Sequence, residues 1–229
     1  MREADRQLIR ALPLFSEMSE ASFGELTGAA YLQRFPPGVV LMSEGALPDF
    51  LHVVVEGSVE MYCAHDGTET TIDILRPATT FILAAVIRDE VYLKSARTLT
   101  PAQILMIPAH TVRDVFGRDA AFARAVVKEL AARYRSVVRA LKNEKLRTGA
   151  ERLANWILQA HTHQGDRHAV AMTFGKRTLA ARLGMTPENL SRNLAVLGKY
   201  GVKSSGRDII IEDLSVLERF AKPNALIDG

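Results

Sequence analysis

The sequence predicts an α+β fold built from three consecutive segments. The first, residues 1–108, contains short apolar runs separated by turn residues, which is typical of antiparallel strands. The second, residues 109–148, carries apolar residues at helical spacing over many turns. The third, residues 149–229, contains two short amphipathic helices on either side of a glycine, followed by a pair of strands.

The first segment begins with two helical stretches and continues as strands. Ala4–Ala11 has helical spacing, and a second helix is expected to start after Ser19, a favourable N-cap residue. From Phe35 to Ile107 the apolar runs are short and evenly spaced, and Asp66-Gly67 is a typical hairpin turn. This pattern predicts an antiparallel sandwich or barrel of the β-roll type.

The second segment is expected to form one long helix with an apolar stripe. Ala109–Arg147 contains no proline and a single glycine, and Thr148-Gly149 ends it. The stripe consists of five residues at intervals of three and four: Val127, Leu130, Tyr134, Val137 and Leu141. Such a stripe either pairs with a second copy or packs on the chain's own β-domain. Basic residues beside it leave the stripe narrow, which favours a homodimer.

The third segment predicts a winged helix-turn-helix. Gly184 separates two short helices, and Thr186 and Pro187 supply the N-cap and first position of the second one. The two helices are preceded by a further helix and a short strand and followed by two wing strands. In chain order these elements are Ala150–Gln159, Ala169–Phe174, Lys176–Leu183, Pro187–Leu197, Lys203–Arg207 and Asp208–Ile211.

Charge is distributed unevenly along the chain. Residues 1–108 hold eight basic and 14 acidic side chains, residues 109–148 hold ten and four, and residues 149–229 hold 11 and eight. Between Lys176 and Arg207 there are seven basic residues and one acidic residue, Glu188. This concentration of positive charge on the predicted helix-turn-helix suits contact with the phosphates of double-stranded DNA.

Several other classes of protein are disfavoured. No catalytic triad, phosphate-binding loop, dinucleotide fingerprint or metal-ligand spacing stands out, so an enzyme is not expected. Cys63 is the only cysteine, which rules out an internal disulfide and is too few thiols for an iron–sulfur cluster. No run of 18 uncharged apolar residues or secretory signal is present. We therefore expect a cytoplasmic protein without a membrane partner.

Several motifs resemble those of the CRP/FNR family of bacterial transcription regulators over roughly Leu12–Asp213. They are Pro36-Pro37-Gly38, Ser43-Glu44-Gly45, the run Val53 to Val59, and the run Leu179 to Arg192. The resemblance implies a cyclic-nucleotide-binding-like β-roll as sensor domain, a dimerisation helix and a winged helix that binds a palindromic DNA site. It also implies RNA polymerase as a partner.

The candidate effector pocket departs from the cyclic-AMP-responsive members. Those members resemble one another in a Phe-Gly-Glu stretch, and in an Arg-Ser-Ala stretch ten residues later. This chain has Phe81-Ile82-Leu83-Ala84 and Lys94-Ser95-Ala96 instead. Ala84 cannot accept a ribose hydroxyl, and Lys94 lacks the bidentate fork of arginine. Phe81, Ala84, Lys94 and Ser95 are therefore candidate pocket residues for an effector other than cyclic AMP.

No cysteine precedes Cys63, unlike in the iron–sulfur FNR branch. The stretch from Phe81 to Leu99 and the Pro-Glu-x-x-Ser-Arg sequence that begins at Pro187 resemble those of the cluster-free Dnr and NnrR branch. That branch implies sensing of nitric oxide, or another gas or redox signal such as oxygen, through heme. Candidate heme ligands are His52, His65, Cys63 and His110. The alternative is a degenerate β-roll that binds no small molecule or binds another small effector.

The outer face of the second helix of the motif carries the candidate base-reading residues Glu188, Ser191 and Arg192. Arg192 suits the O6 and N7 atoms of guanine, Glu188 suits cytosine N4, and Ser191 suits a thymine edge. Their order resembles FNR-like readers, which implies a TTGAT-N4-ATCAA site. The candidate phosphate-contacting residues are Lys176, Thr186, Lys203 and Arg207. Arg147–Ala150 is the expected hinge of the DNA-binding domain.

Overall fold

The computed structural model describes residues 3–165, 169–172, 174–206 and 208–228. The chain divides into two compact units, Met1–Arg133 and Tyr134–Gly229, and the division falls inside its longest helix. The predicted fold class is confirmed: a β-rich N-terminal domain, a long helix and a C-terminal helix-turn-helix. No helix in the described part of the chain is long and apolar enough to cross a membrane.

Among its described residues, the first unit is built on eight strands in two antiparallel sheets. The strands are β1 Tyr31–Phe35, β2 Val40–Met42, β3 Phe50–Glu56, β4 Val59–His65, β5 Thr68–Leu75, β6 Thr79–Phe81, β7 Ser95–Thr98 and β8 Ala102–Pro108. The sheet orders are β1-β8-β3-β6 and β2-β7-β4-β5. The helices are α1 Glu3–Arg10, α2 Glu20–Ala29, α3 Leu83–Arg88, α4 Ala109–Arg118 and the first turns of α5 Ala120–Leu146.

Two apolar clusters hold this unit together. The first packs the helices on one face of the β3–β8 pair and includes Phe23, Leu105, Val112 and Phe122. The second combines residues from both sheets: Val54, Met61, Phe81, Ala96 and Ile104. Because neighbouring residues of a strand point to opposite faces, β3 and β8 contribute to both clusters.

The segment expected to form one long helix is two helices. The chain leaves helical geometry at Asp119, which separates α4 from α5. The Asp119 carboxylate accepts hydrogen bonds from the backbone N–H of Phe122 at 2.9 Å and from the backbone N–H and hydroxyl of Ser19 at 3.0 and 2.8 Å. These bonds, led by that of Phe122, hold the pKa of Asp119 well below its usual range. Asp119 therefore caps the N-terminus of α5, and its hydrogen bonds to Ser19 hold this end of α5 against the start of α2.

Among its described residues, the second unit contains the last turns of α5, four further helices longer than a single turn, and a three-stranded sheet. The elements are α6 Gly149–His163, β9 Ala169–Ala171, α7 Lys176–Arg182, α8 Pro187–Leu197, a 3₁₀ helix Gly198–Tyr200, β10 Val202–Ser205, β11 Asp208–Ile211, α9 Leu214–Ala221 and the short α10 Ala225–Asp228. The sheet order is β10-β11-β9, and Thr148 and Glu151 form a reciprocal capping box that begins α6.

Candidate nucleic-acid interface

Helices α7 and α8 form the helix-turn-helix at the positions that the sequence predicts. Gly184 has a φ of +62°, a left-handed conformation that glycine adopts without strain, and it turns the chain between the two helices. The Thr186 hydroxyl accepts a hydrogen bond from the backbone N–H of Asn189 at 3.2 Å, and Pro187 occupies the first helical position. The predicted N-cap of the second helix is confirmed.

Buried leucines fix α8 in place. Leu179 of α7 and Leu190 and Leu197 of α8 are fully buried, as are Leu153 and Ile157 of α6. The inner face of α8 therefore packs on a three-helix core, and its opposite face is exposed. This packing fixes the α8 backbone, from which the side chains at its start project to the exposed face.

The three candidate base-reading residues lie together on that exposed face. Glu188, Ser191 and Arg192 are all exposed. The Thr186 hydroxyl, the backbone N–H of Glu188 and the charge of Arg192 lower the pKa of the Glu188 carboxyl, so Glu188 is anionic at neutral pH. The Ser191 hydroxyl donates to the Pro187 carbonyl at 3.0 Å. Its hydroxyl hydrogen is thus already engaged within the helix.

The candidate phosphate-contacting residues differ in their surroundings. Lys176 is exposed at the start of α7, and its Nζ lies 3.4 Å from the Ser204 hydroxyl of the wing. Lys203 is on the wing, and its Nζ lies 2.5 Å from a carboxylate oxygen of Glu212. Lys203 is therefore already paired with an anion. Arg207 lies outside the described residues.

The structure adds polar residues that the sequence analysis did not assign. Asn189 is exposed next to Glu188 at the start of α8, and Arg177 is exposed next to Lys176. Both residues lie in the first turn of a predicted helix, and this position is the sequence feature that could have identified them. Glu212 could not be recognised as the partner of Lys203, because that contact depends on the β10–β11 pairing.

The apolar stripe of α5 is largely exposed within one chain. Leu130 is half-buried and packs against the helical cluster of the first unit. The other four residues have relative exposures of 61% for Val127, 71% for Tyr134, 66% for Val137 and 52% for Leu141. Leu130 thus contributes to its own domain, and the remaining four residues present unpartnered apolar surface.

Comparisons with known proteins match both parts of the chain. Residues 32–119 match the cyclic nucleotide-binding domain family, and residues 151–220 match the Crp-like helix-turn-helix domain. The two matches together account for more than half of the chain. The chain belongs to the Crp/Fnr family of transcription regulators. Its Crp-like helix-turn-helix implies DNA as the partner of this Crp/Fnr regulator.

Solved structures of similar chains share the fold of this chain. A regulatory protein of Silicibacter pomeroyi, proposed to bind cAMP, is 26% identical with a TM-score of 0.62, over 97% of this chain and 100% of that one. A proposed Crp/Fnr-family regulator of Eubacterium rectale has 20% identity and a TM-score of 0.76, over 92% and 98%. Dnr of Pseudomonas aeruginosa has 23% identity and a TM-score of 0.53, over 96% and 99%. No curated protein matches the sequence.

The likeness to Dnr concerns the fold, so membership of the Dnr/NnrR branch stays a prediction.

The candidate pocket residues of this Crp/Fnr regulator differ from one another in burial and contacts. Phe81 is buried in the cluster between the two sheets, and Ala84 is exposed on α3. Lys94 is half-buried, and the Ser95 hydroxyl accepts a hydrogen bond from the backbone N–H of Glu44 at 2.9 Å. Ser95 therefore supports the loop between β2 and β3.

The candidate heme ligands are distributed over the β-domain. His52 is buried on β3, where its ring stacks on Phe81 with centroids 5.0 Å apart. Burial lowers the pKa of His52 to about 4, so its imidazole is neutral at pH 7. His65 is exposed near Asp66, and His110 is exposed on α4. Burial also raises the pKa of the Cys63 thiol, which keeps it protonated.

Proposed function

We propose that this Crp/Fnr regulator acts as a homodimer that binds an inverted repeat close to TTGAT-N4-ATCAA. The observation that carries the proposal is the arrangement of Glu188, Ser191 and Arg192 on one exposed face at the capped start of α8. The first turns of a recognition helix are the part that contacts base edges in the major groove. An anionic acceptor, a hydroxyl and a guanidinium on this surface can distinguish base pairs.

Each of the three side chains suits one base. The Arg192 guanidinium offers paired donors to the O6 and N7 atoms of guanine, and the Glu188 carboxylate accepts from cytosine N4. The Ser191 hydroxyl donates to Pro187, so its Cβ methylene is better placed than its hydrogen to contact a thymine methyl group. Together these contacts correspond to the G·C pair and a neighbouring thymine of a TTGAT half-site.

The dimer rests on the apolar stripe of α5. Val127, Tyr134, Val137 and Leu141 are more than half exposed in one chain, which is unusual for apolar residues at regular helical spacing. Pairing with the same stripe of a second copy would cover them. A two-fold dimer places two readers on two half-sites, which explains why an inverted repeat is the expected target.

Selection of binding sites from random duplex DNA tests this function. The wild-type protein should enrich an inverted repeat with the central guanine of TTGAT. An Arg192→Ala variant should lose preference at that guanine, whereas Lys199→Ala, which removes an equal charge from the exposed 3₁₀ helix, should enrich the wild-type sequence. Enrichment of no sequence, or of an unrelated direct repeat, would contradict the proposal.

We further propose that the β-domain senses a gas such as nitric oxide or oxygen through heme, with His52 as protein ligand. The support comes from His52 itself. Its imidazole is neutral, and its buried Nδ1 has no hydrogen-bond partner among the described residues. Heme would supply an iron centre that binds a diatomic gas. His52 would hold the iron and, through its stack on Phe81, connect it to the start of α3.

Reconstitution with hemin tests the sensing proposal. Wild-type protein should show a Soret band that shifts when nitric oxide is added. His52→Ala should lose or displace this band, and His65→Ala, which removes an exposed histidine, should leave it unchanged. If the wild-type protein shows no Soret band, the alternative gains support: the β-roll either binds no small molecule or binds an effector other than heme.

RNA polymerase as a partner of this regulator stays a prediction.

A further inference from the structure

The short helix α10 contacts the junction between α5 and α6, which the sequence predicts to be a hinge. The guanidinium of Arg147, which follows α5, has a side-chain exposure of only 7%. Its two terminal nitrogens each donate to one oxygen of the Asp228 carboxylate of α10, both at 2.6 Å. A bidentate arginine–carboxylate pair of this kind fixes both distance and orientation.

Further contacts attach α10 to the helices on both sides of the junction. Lys142 Nζ of α5 donates to the Leu226 carbonyl at 3.2 Å, and Gln159 Nε2 of α6 donates to the Asp228 carbonyl at 3.4 Å. The second oxygen of Asp228 also accepts from the backbone N–H of Asn224 at 2.7 Å, which closes the turn that begins α10. The segment from Asn224 to Asp228 therefore touches α5, α6 and the chain between them.

The same junction is connected to the helix-turn-helix. Arg152 of α6 donates through one nitrogen to the Arg147 carbonyl and through another to the Leu183 carbonyl at the turn, both at 2.9 Å. A third nitrogen of Arg152 donates to the Gly184 carbonyl at 3.3 Å. A continuous set of hydrogen bonds thus runs from Asp228 through Arg147 and Arg152 to the turn between α7 and α8.

We propose that Arg147 and Asp228 are positioning residues that set the direction of the helix-turn-helix relative to the end of α5. In a dimer paired through α5, that direction sets the separation of the two recognition helices, and so the preferred spacing of the half-sites. This inference rests on the proposed function. Asp228 contacts no base or phosphate in this role, so it selects the spacer length and leaves the half-site sequence to α8.

A purely stabilising pair would behave differently. Its removal would lower the stability of the second unit and weaken binding to all DNA sites in the same proportion. A positioning pair determines which spacer is preferred, so its removal should broaden the spacer preference. The spacer profile separates the two roles because each added base pair rotates and displaces one half-site relative to the other.

The experiment measures binding of the full chain to inverted repeats whose spacer is shortened or lengthened by one or two base pairs. Wild-type protein should prefer one spacer by about tenfold or more over spacers two base pairs away. Asp228→Asn, which keeps the shape and loses the charge, should reduce this preference to about threefold or less. Arg147→Lys should act in the same direction, because lysine lacks the bidentate fork.

Two controls keep the result interpretable. Glu218→Gln removes an acidic charge from an exposed position of α9 and should retain the wild-type profile. Amide hydrogen exchange over residues 143–152, measured without DNA, should be faster in Asp228→Asn than in the wild type. If exchange accelerates and the spacer profile is unchanged, the pair only stabilises the junction and the proposal is wrong.

Failure of the proposed function gives a different result. In that case the wild-type protein itself prefers no inverted repeat at any spacer, and Asp228→Asn cannot alter a preference that does not exist. A wild-type protein with a sharp spacer preference, together with an identical preference in Asp228→Asn, overturns the positioning role and leaves the proposed function intact.

Discussion

Val137→Glu tests the dimer stripe of α5 with little risk to the fold of one chain. Val137 is 66% exposed in a single chain, so its substitution removes little packing there. Full burial of a valine side chain stabilises by about 1.5–3 kcal/mol, and two thirds of that is about 1–2 kcal/mol. Both copies lose this contribution in a symmetric dimer, which gives about 2–4 kcal/mol.

This free energy can be converted to a change in dimer affinity. Each 1.4 kcal/mol is a factor of ten, so the dimer dissociation constant should rise about 30- to 1000-fold. Two glutamates facing each other across the interface would add repulsion to this loss. Val137→Glu is preferable to a substitution of Leu130, because Leu130 also packs in its own domain.

Analytical ultracentrifugation over a range of concentrations measures the effect. Ala132→Glu is the matched control, because Ala132 is exposed on the same helix and lies outside the stripe. The control should sediment as the wild type does, and Val137→Glu should sediment as a monomer at concentrations where the wild type is dimeric. Equal dimer affinity for all three proteins would show that the interface lies elsewhere.

Further predictions concern charge and capping. The logarithm of the DNA-binding constant falls linearly with the logarithm of the salt concentration, and Lys176→Ala should make this slope shallower by about 2 per dimer. Lys203→Ala should change the slope less, because Lys203 pairs with Glu212. Glu212→Gln should therefore tighten binding to all DNA sequences in a filter-binding titration. Thr186→Ala should lower the free energy of unfolding by about 1 kcal/mol in urea titrations, through loss of the N-cap of α8. The folded state holds the pKa of Asp119 below its unfolded value, so its stabilisation is present above about pH 4 and is lost as the pH falls through the lower pKa. Asp119→Asn should thus be less stable than the wild type at pH 7, with a smaller difference in acid-denaturation measurements at low pH.

Local signals explain the elements that the sequence predicted well. Ser19, Thr186 and Pro187 act within one helical turn, and the structure places a helix start at each. Gly184 supplies a left-handed turn between two helices whose buried leucines are spaced for one face. The β-roll follows from short apolar runs because each run can bury alternate residues only by pairing with another strand.

Contacts between distant residues explain what the sequence left undetermined. The break at Asp119 has a local cause, the N-cap bond to the Phe122 backbone N–H, which the helical periodicity of residues 109–147 masks, whereas the bonds of Asp119 to Ser19 join residues 100 positions apart. The pairing of Arg147 with Asp228 joins residues 81 positions apart and leaves no spacing pattern. The exposure of Ala84 likewise depends on how α3 lies against the strands, which a motif comparison with cyclic-AMP-responsive proteins does not contain.

The most direct test of the central claim compares Arg192 with the guanine that we assign to it. Fluorescence anisotropy gives four dissociation constants: wild type and Arg192→Ala, each on the TTGAT inverted repeat and on one with both guanines replaced by adenine. Wild-type protein should lose about 1–3 kcal/mol per half-site on the altered DNA, and Arg192→Ala should bind both duplexes with equal, weaker affinity. An Arg192→Ala variant that still discriminates between the two duplexes as strongly as the wild type would contradict the account.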